Sequence, residues 1–148
     1  MHRPIFQFMA LTSIISSAAL AHDGVQNTAV KARMDDMGLL ATEVKTLGQM
    51  MRGQTAFDAD AANAAAAAIA AHAAQIVPLF EANETDPKSE ALPAIWQDFD
   101  SISEISANLE NVATALSGNI NEAADLRMAL GRIGQTCSAC HEKFRLEQ

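Results

Sequence analysis

Five consecutive residues near the end of the chain, Cys137-Ser138-Ala139-Cys140-His141, place two thiols and an imidazole within about one helical turn. C-x-x-C-H at this spacing is the signature of covalent c-type haem attachment. Two thiols one turn apart can add to the two vinyl groups on one edge of a porphyrin, and the adjacent imidazole then reaches the iron. A thioredoxin-like redox pair would need a βαβ context and a thiolate at a helix N-terminus, whereas Cys137 falls near the end of its helix. A zinc site would need a fourth ligand, and no further cysteine or histidine is spaced to supply one. A plain disulfide stays open, but it gives His141 no role. The expectation is therefore one haem c, held by Cys137 and Cys140 with His141 on the iron.

The elements that must carry these groups are helical throughout. Leu126, Leu130, Ile133, Cys137, Cys140 and Phe144 step by three and four residues, a bundle seam that runs through the motif, so the haem should lie inside the bundle. A first helix is expected from Gly24 to Met51, with Val30, Met34, Met37, Ala41, Val44, Gly48 and Met51 as its inward stripe. Gly53 suits that helix's C-terminus, and Asp58 is a good N-cap for a second helix reaching Phe80. The second helix is dominated by alanine, the best helix former. Glu81 to Leu92 reads as a crossover loop, with Asn83, Asp86, Pro87 and Ser89 as turn formers. A third helix is expected from Pro93 to Ser117, striped by Ile95, Phe99, Ile102, Ile105, Leu109, Val112 and Leu116. Gly118-Asn119 ends it, and Asn121 is placed to cap the fourth. No sustained period-2 pattern is present. The fold class expected is all-α, an antiparallel up-and-down four-helix bundle.

Ala61 to Phe80 carries no Asp, Glu, Lys or Arg. Its alanines are only modestly hydrophobic, and Asn63, His72, Gln75 and Pro78 interrupt it, so a bundle helix is favoured over a membrane span. His72 reads as a surface or partly satisfied histidine. At the other end of the chain Arg3, the uncharged stretch Ile5 to Leu20 and the Ala19-Leu20-Ala21 site read as a signal peptide. Residues 1–21 are thus expected to be removed, leaving a 22–148 domain in an oxidising, periplasmic compartment.

The whole chain has 148 residues, 49% of them hydrophobic and 19% charged, too much of both for a disordered polymer. Ten Lys+Arg against 18 Asp+Glu give a formal charge of −8. That argues against nucleic acid or an anionic membrane as a partner and for small molecules or proteins with basic patches.

With these residues assembled, the chain resembles the cytochrome c′ and cytochrome c-556 family of four-helix-bundle haem proteins. The resemblance covers the whole mature chain. It includes Arg33 with Met37, Arg52-Gly53 with Phe57-Asp58, Leu92-Pro93-Ala94-Ile95-Trp96, and Cys137 to Arg145. It implies His141 as proximal ligand and makes Met37, four residues after Arg33, the residue covering the distal face. In c-556-like members a methionine at this place is the sixth ligand of an electron carrier. In c′-like members the iron is five-coordinate and associated with nitric oxide or carbon monoxide. Met34, which follows Arg33 where the family often has glutamine, is the second candidate. The resemblance further implies Arg33 beside a haem propionate, Arg145 flanking the proximal pocket, and a homodimer through the first two helices. Trp96 and Phe99 read as core residues. No acid/base pair or nucleophile can be inferred, so a carrier or gas binder is expected rather than an enzyme.

Overall fold

The computed structural model describes residues 24–147. The 1–21 signal-peptide assignment lies outside them. The described chain is a bundle of four long helices with one short extra turn: α1 Thr28–Met51, α2 Ala59–Phe80, α3 Ala94–Gln97, α4 Phe99–Leu116 and α5 Asp125–Phe144. The only β pairing among the described residues is an isolated antiparallel bridge between Ala91 and Arg145.

The helix ends follow local side-chain chemistry. Asp58 caps α2 as expected, accepting from the Ala61 N–H at 3.0 Å. Gly53 and Gly118 take φ of +67° and +84° just beyond α1 and α4, where a side chain would be strained. Three expected boundaries differ. The first helix starts at Thr28 rather than Gly24, because the Asn27 side chain accepts from the Val30 N–H and caps it there. The third helix is divided at Asp98, whose φ of −139° and ψ of +58° are not helical. Asn121 caps nothing with its side chain. Instead the Asp125 carboxylate accepts from the backbone N–H groups of Asn121 and Glu122, and α5 begins there.

α2 is the structural centre, packed against α1 on one side and most extensively against α4 on the other. Ala62, Ala65, Ala66 and Ala73 are buried, with Ile69, Ile76 and Phe80 filling the remaining space. Small side chains let the neighbouring helices approach closely, so the alanine-rich run serves packing within the bundle. α2 is long and apolar enough to cross a membrane by composition, yet here it lies between two other helices. Asn63 joins α2 to the α4–α5 turn: its amide donates to the Ile120 carbonyl at 2.9 Å and its carbonyl accepts from the N–H groups of Gly118 and Ile120. His72 is satisfied, its Nδ1 lying 2.7 Å from Oδ1 of the buried Asp36 on α1.

Candidate functional site

α5 packs against α4 and, more sparsely, against α1, and the bundle interior on that side contains a cavity of about 550 Å³. Close-packed protein interiors rarely leave voids larger than a water molecule, whereas specific ligand pockets run from roughly 300 to 1,000 Å³. The space is therefore of the size for a bound group. α5 contributes Ile133, Thr136, Cys137, Cys140, His141 and Phe144 to its wall, so the seam expected to carry the motif is the one that faces it.

The wall supplied by α1 changes the reading of that helix. Met34, Met37, Ala41 and Val44, expected as its packed stripe, line the cavity. The positions buried in the bundle are Val30, Arg33, Asp36, Leu40, Leu47, Gly48 and Met50, and Met51 is exposed. Periodicity reports a face shielded from water and cannot say whether protein or a bound group does the shielding.

The chemistry of the donors fits a covalently attached haem. Burial raises both thiols, Cys140 to about 11 with a further push from Cys137 beside it, so both are protonated at neutral pH. That is the opposite of the lowered thiol of a redox-active pair. A thioether carries no ionisable group and is at home in an apolar wall. No group of three or more His, Cys, Asp or Glu able to hold a metal ion exists among the described residues, which leaves zinc without a ligand set. Burial, with Arg145 next, holds the His141 imidazole below its ordinary value, while Glu90 opposes the shift. It is then neutral at pH 7, the form that ligates metals. Two hydroxyls on the wall donate within their own helices, Ser106 to the Ile102 carbonyl at 2.7 Å and Thr136 to the Arg132 carbonyl at 3.2 Å, and the Ser89 hydroxyl accepts from the Ala91 N–H at 3.3 Å.

Arg33 is 2% exposed and lines the cavity, and three of its five N–H donors are used within the protein. Nε donates to the Leu79 carbonyl and Nη1 to the Glu84 carbonyl, both at 2.8 Å, and Nη2 donates to the Ala82 carbonyl. Phe80 and Trp96 rings lie 5.0 and 5.3 Å from its centre, and Trp96 Nε1 donates to the Phe80 carbonyl at 2.8 Å. Orphan carbonyls at a helix C-terminus need donors and favour a cation. α2 has no basic residue in its last turn, and α1 supplies one. Arg145 does lie beside His141, where its Nε is 3.2 Å from Glu90 Oε2.

With this geometry in place, the comparisons decide the family. A family model described as Cytochrome C′ matches residues 28–145. The chain belongs to the cytochrome c′ family. It is 33% identical over 149 residues to cytochrome c-554 of Cereibacter sphaeroides, covering 97% of each chain. It is 32% identical over 119 residues to cytochrome c′ of Rhodopseudomonas palustris, covering 80% of each. A solved cytochrome c′ from Rhodopseudomonas palustris superposes with a TM-score of 0.77 at 29% identity, over 83% of this chain and 99% of that one. The family's cofactor is a covalent haem c, and the two cysteines that attach it here are Cys137 and Cys140. The chain is thus a haem protein of the cytochrome c′ and c-556 kind.

Several residues that shape the site were not read from the sequence. Asp86 looks like a turn former but is buried, its carboxylate tying the crossover to the start of α1. Glu90 and Asp36 carry no local pattern, since their partners lie far along the chain. Only Asn63 had a visible signal, an amide within a run of alanines.

Proposed function

We propose that this chain is an exported electron carrier in which His141 is the proximal iron ligand and Met37 the sixth. The observation that carries the reading is that Met37, on α1, and His141, on α5, line one cavity from different helices. Haem bound there supplies reversible one-electron chemistry. The chain's residues do the rest. Cys137 and Cys140 would hold the haem through two thioethers, neutral His141 would present a nitrogen donor, and apolar side chains from α1, α2 and α4 would surround the group. A thioether at Met37 favours the ferrous state and raises the potential. Arg33 holds the end of α2 at the cavity wall, and Arg145 flanks the proximal side.

This reading takes residues 1–21 as a cleaved signal peptide and the periplasm as destination. The formal charge of −8 suits a redox partner with a basic patch, and a homodimer through α1 and α2 agrees with relatives of this kind. The function is carriage of electrons rather than catalytic turnover.

The second reading is a five-coordinate module for nitric oxide or carbon monoxide. One feature favours it: Gly38, beside Met37, lines the cavity, is exposed, and has no atom from beyond its own stretch of helix within 4 Å of where its Cβ would stand. Optical and resonance Raman spectra of the holoprotein separate the two. If Met37 ligates, the parent is low-spin, and Met37→Ala turns it high-spin, lowers its potential and increases ferrous carbon monoxide binding. A parent that is already high-spin favours the gas-binding reading. A low-spin parent whose spectrum survives the substitution shifts the ligand to Met34.

A further inference from the structure

The crossover and the C-terminus meet beside His141. The Leu146 N–H donates to the Glu90 carbonyl and the Leu92 N–H to the Phe144 carbonyl, both at 2.9 Å, around the Ala91–Arg145 bridge. These backbone bonds set Glu90 and Arg145 side by side, with Arg145 Nε 3.2 Å from Glu90 Oε2. Both residues line the cavity wall that also contains His141. A cation and an anion are thus held at the same edge of the site by a strap whose backbone bonds do not depend on either side chain.

We propose that Glu90 is a positioning and charge-balancing residue for the haem: its carboxylate holds Arg145 at the cavity edge and offsets the guanidinium's field at the iron. The inference rests on His141 being the proximal ligand. A nearby positive charge favours the reduced iron and a nearby negative charge the oxidised iron. The two members of the pair therefore pull the potential in opposite directions. Their side chains are 38% and 44% exposed, so water and salt screen part of each effect.

The test is an equilibrium redox titration of the holoprotein as parent, Glu90→Gln, Arg145→Gln and the double variant, at low and high salt. Glu90→Gln should raise the potential and Arg145→Gln should lower it. The double variant should fall between, and all differences should shrink at high salt. Simple loosening of the strap would admit water and shift both single variants the same way. A shift of both in one direction, or of neither, overturns the proposal. The His141 assignment is judged separately, by the imidazole-ligated spectrum of the parent and its loss in His141→Ala.

Discussion

The two halves of the bundle solve opposite problems. Between α2 and α4 the interior is closed by small side chains, and Ala62, Ala66 and Ala113 are fully buried, while Ile69, Ile76, Ile102 and Leu109 of the same helices face the cavity. Between α1 and α5 much of the interior is given over to the cavity, and side-chain packing of residues such as Leu47 and Leu126 is confined to the rest of each helix. Polar fastenings at the cavity margin add to it. Arg33 reaches from α1 to the end of α2, Asp86 from the crossover to the start of α1, and the crossover backbone pairs with the end of α5. Packing specifies the α2–α4 seam, and directional hydrogen bonds fasten the margin of the cavity that all four long helices line.

The largest effect should come from removing the group that fills the open half. Replacing Cys137 and Cys140 together by Ser should abolish covalent haem, seen as loss of the haem mass and haem stain from denatured protein. The resulting chain should melt earlier and less cooperatively, because a ligand bound only by the folded state stabilises that state. Hydrogen exchange would sharpen the comparison: protection should fall more in α1 and α5 than in α2 and α4. A uniform loss would mean that the two halves are not separable.

Next in size is the fastening at the end of α2. Arg33→Met keeps a similar stem but leaves the carbonyls of Leu79, Ala82 and Glu84 without their donor. Each buried unsatisfied group costs about 1–3 kcal/mol. A total of roughly 2–5 kcal/mol by urea denaturation is expected, since some of these carbonyls can recover water. A change near zero would show that α2 is held by packing alone.

Much of this architecture was legible in the sequence. The helical steps of α4 and α5, the capping Asp58 and the C-x-x-C-H motif each state a local rule, and Cys137, Cys140 and His141 meet at the cavity as that motif requires. α1 shows where legibility stops. Met34, Met37, Ala41 and Val44 form a correct apolar stripe, but the pattern cannot distinguish a neighbouring helix from a prosthetic group. Arg33 was visible as an arginine one turn before Met37. Its partners are carbonyls some 46 to 51 residues away, and backbone acceptors leave no mark in side-chain sequence. Glu90 and Asp86 were hidden for the same reason, because their positions depend on how the crossover closes.

A smaller effect tests packing directly. Ala66 is fully buried on α2, and Ala66→Leu adds volume where none is free, costing about 1–3 kcal/mol. Ala41 on α1 lines the cavity, so Ala41→Leu meets the bound haem rather than protein and should shift the haem's optical bands while costing less stability than Ala66→Leu. Calorimetry on the two variants checks the pair. Equal costs would erase the distinction between the closed and open halves.

The smallest effect concerns the acid limb of stability, and its sign follows from Asp86. Its carboxylate accepts from the N–H groups of Lys88, Asn27 and Gln26 at 2.8, 3.0 and 2.9 Å, and these bonds hold it below the ordinary value of 3.8. The folded state therefore keeps this charge at a pH where the unfolded chain has taken up a proton. The stability it contributes is complete above the unfolded value and is lost as pH falls through the lower folded one. Asp86→Asn retains one acceptor oxygen but no charge, so it should unfold at slightly lower urea than the parent at neutral pH. The difference should narrow from about pH 5 to about pH 3, because only the parent has this contribution to lose. A gap that stays constant with pH would mean that Asp86 fastens the open half by shape alone, and the fastening would then be neutral rather than ionic.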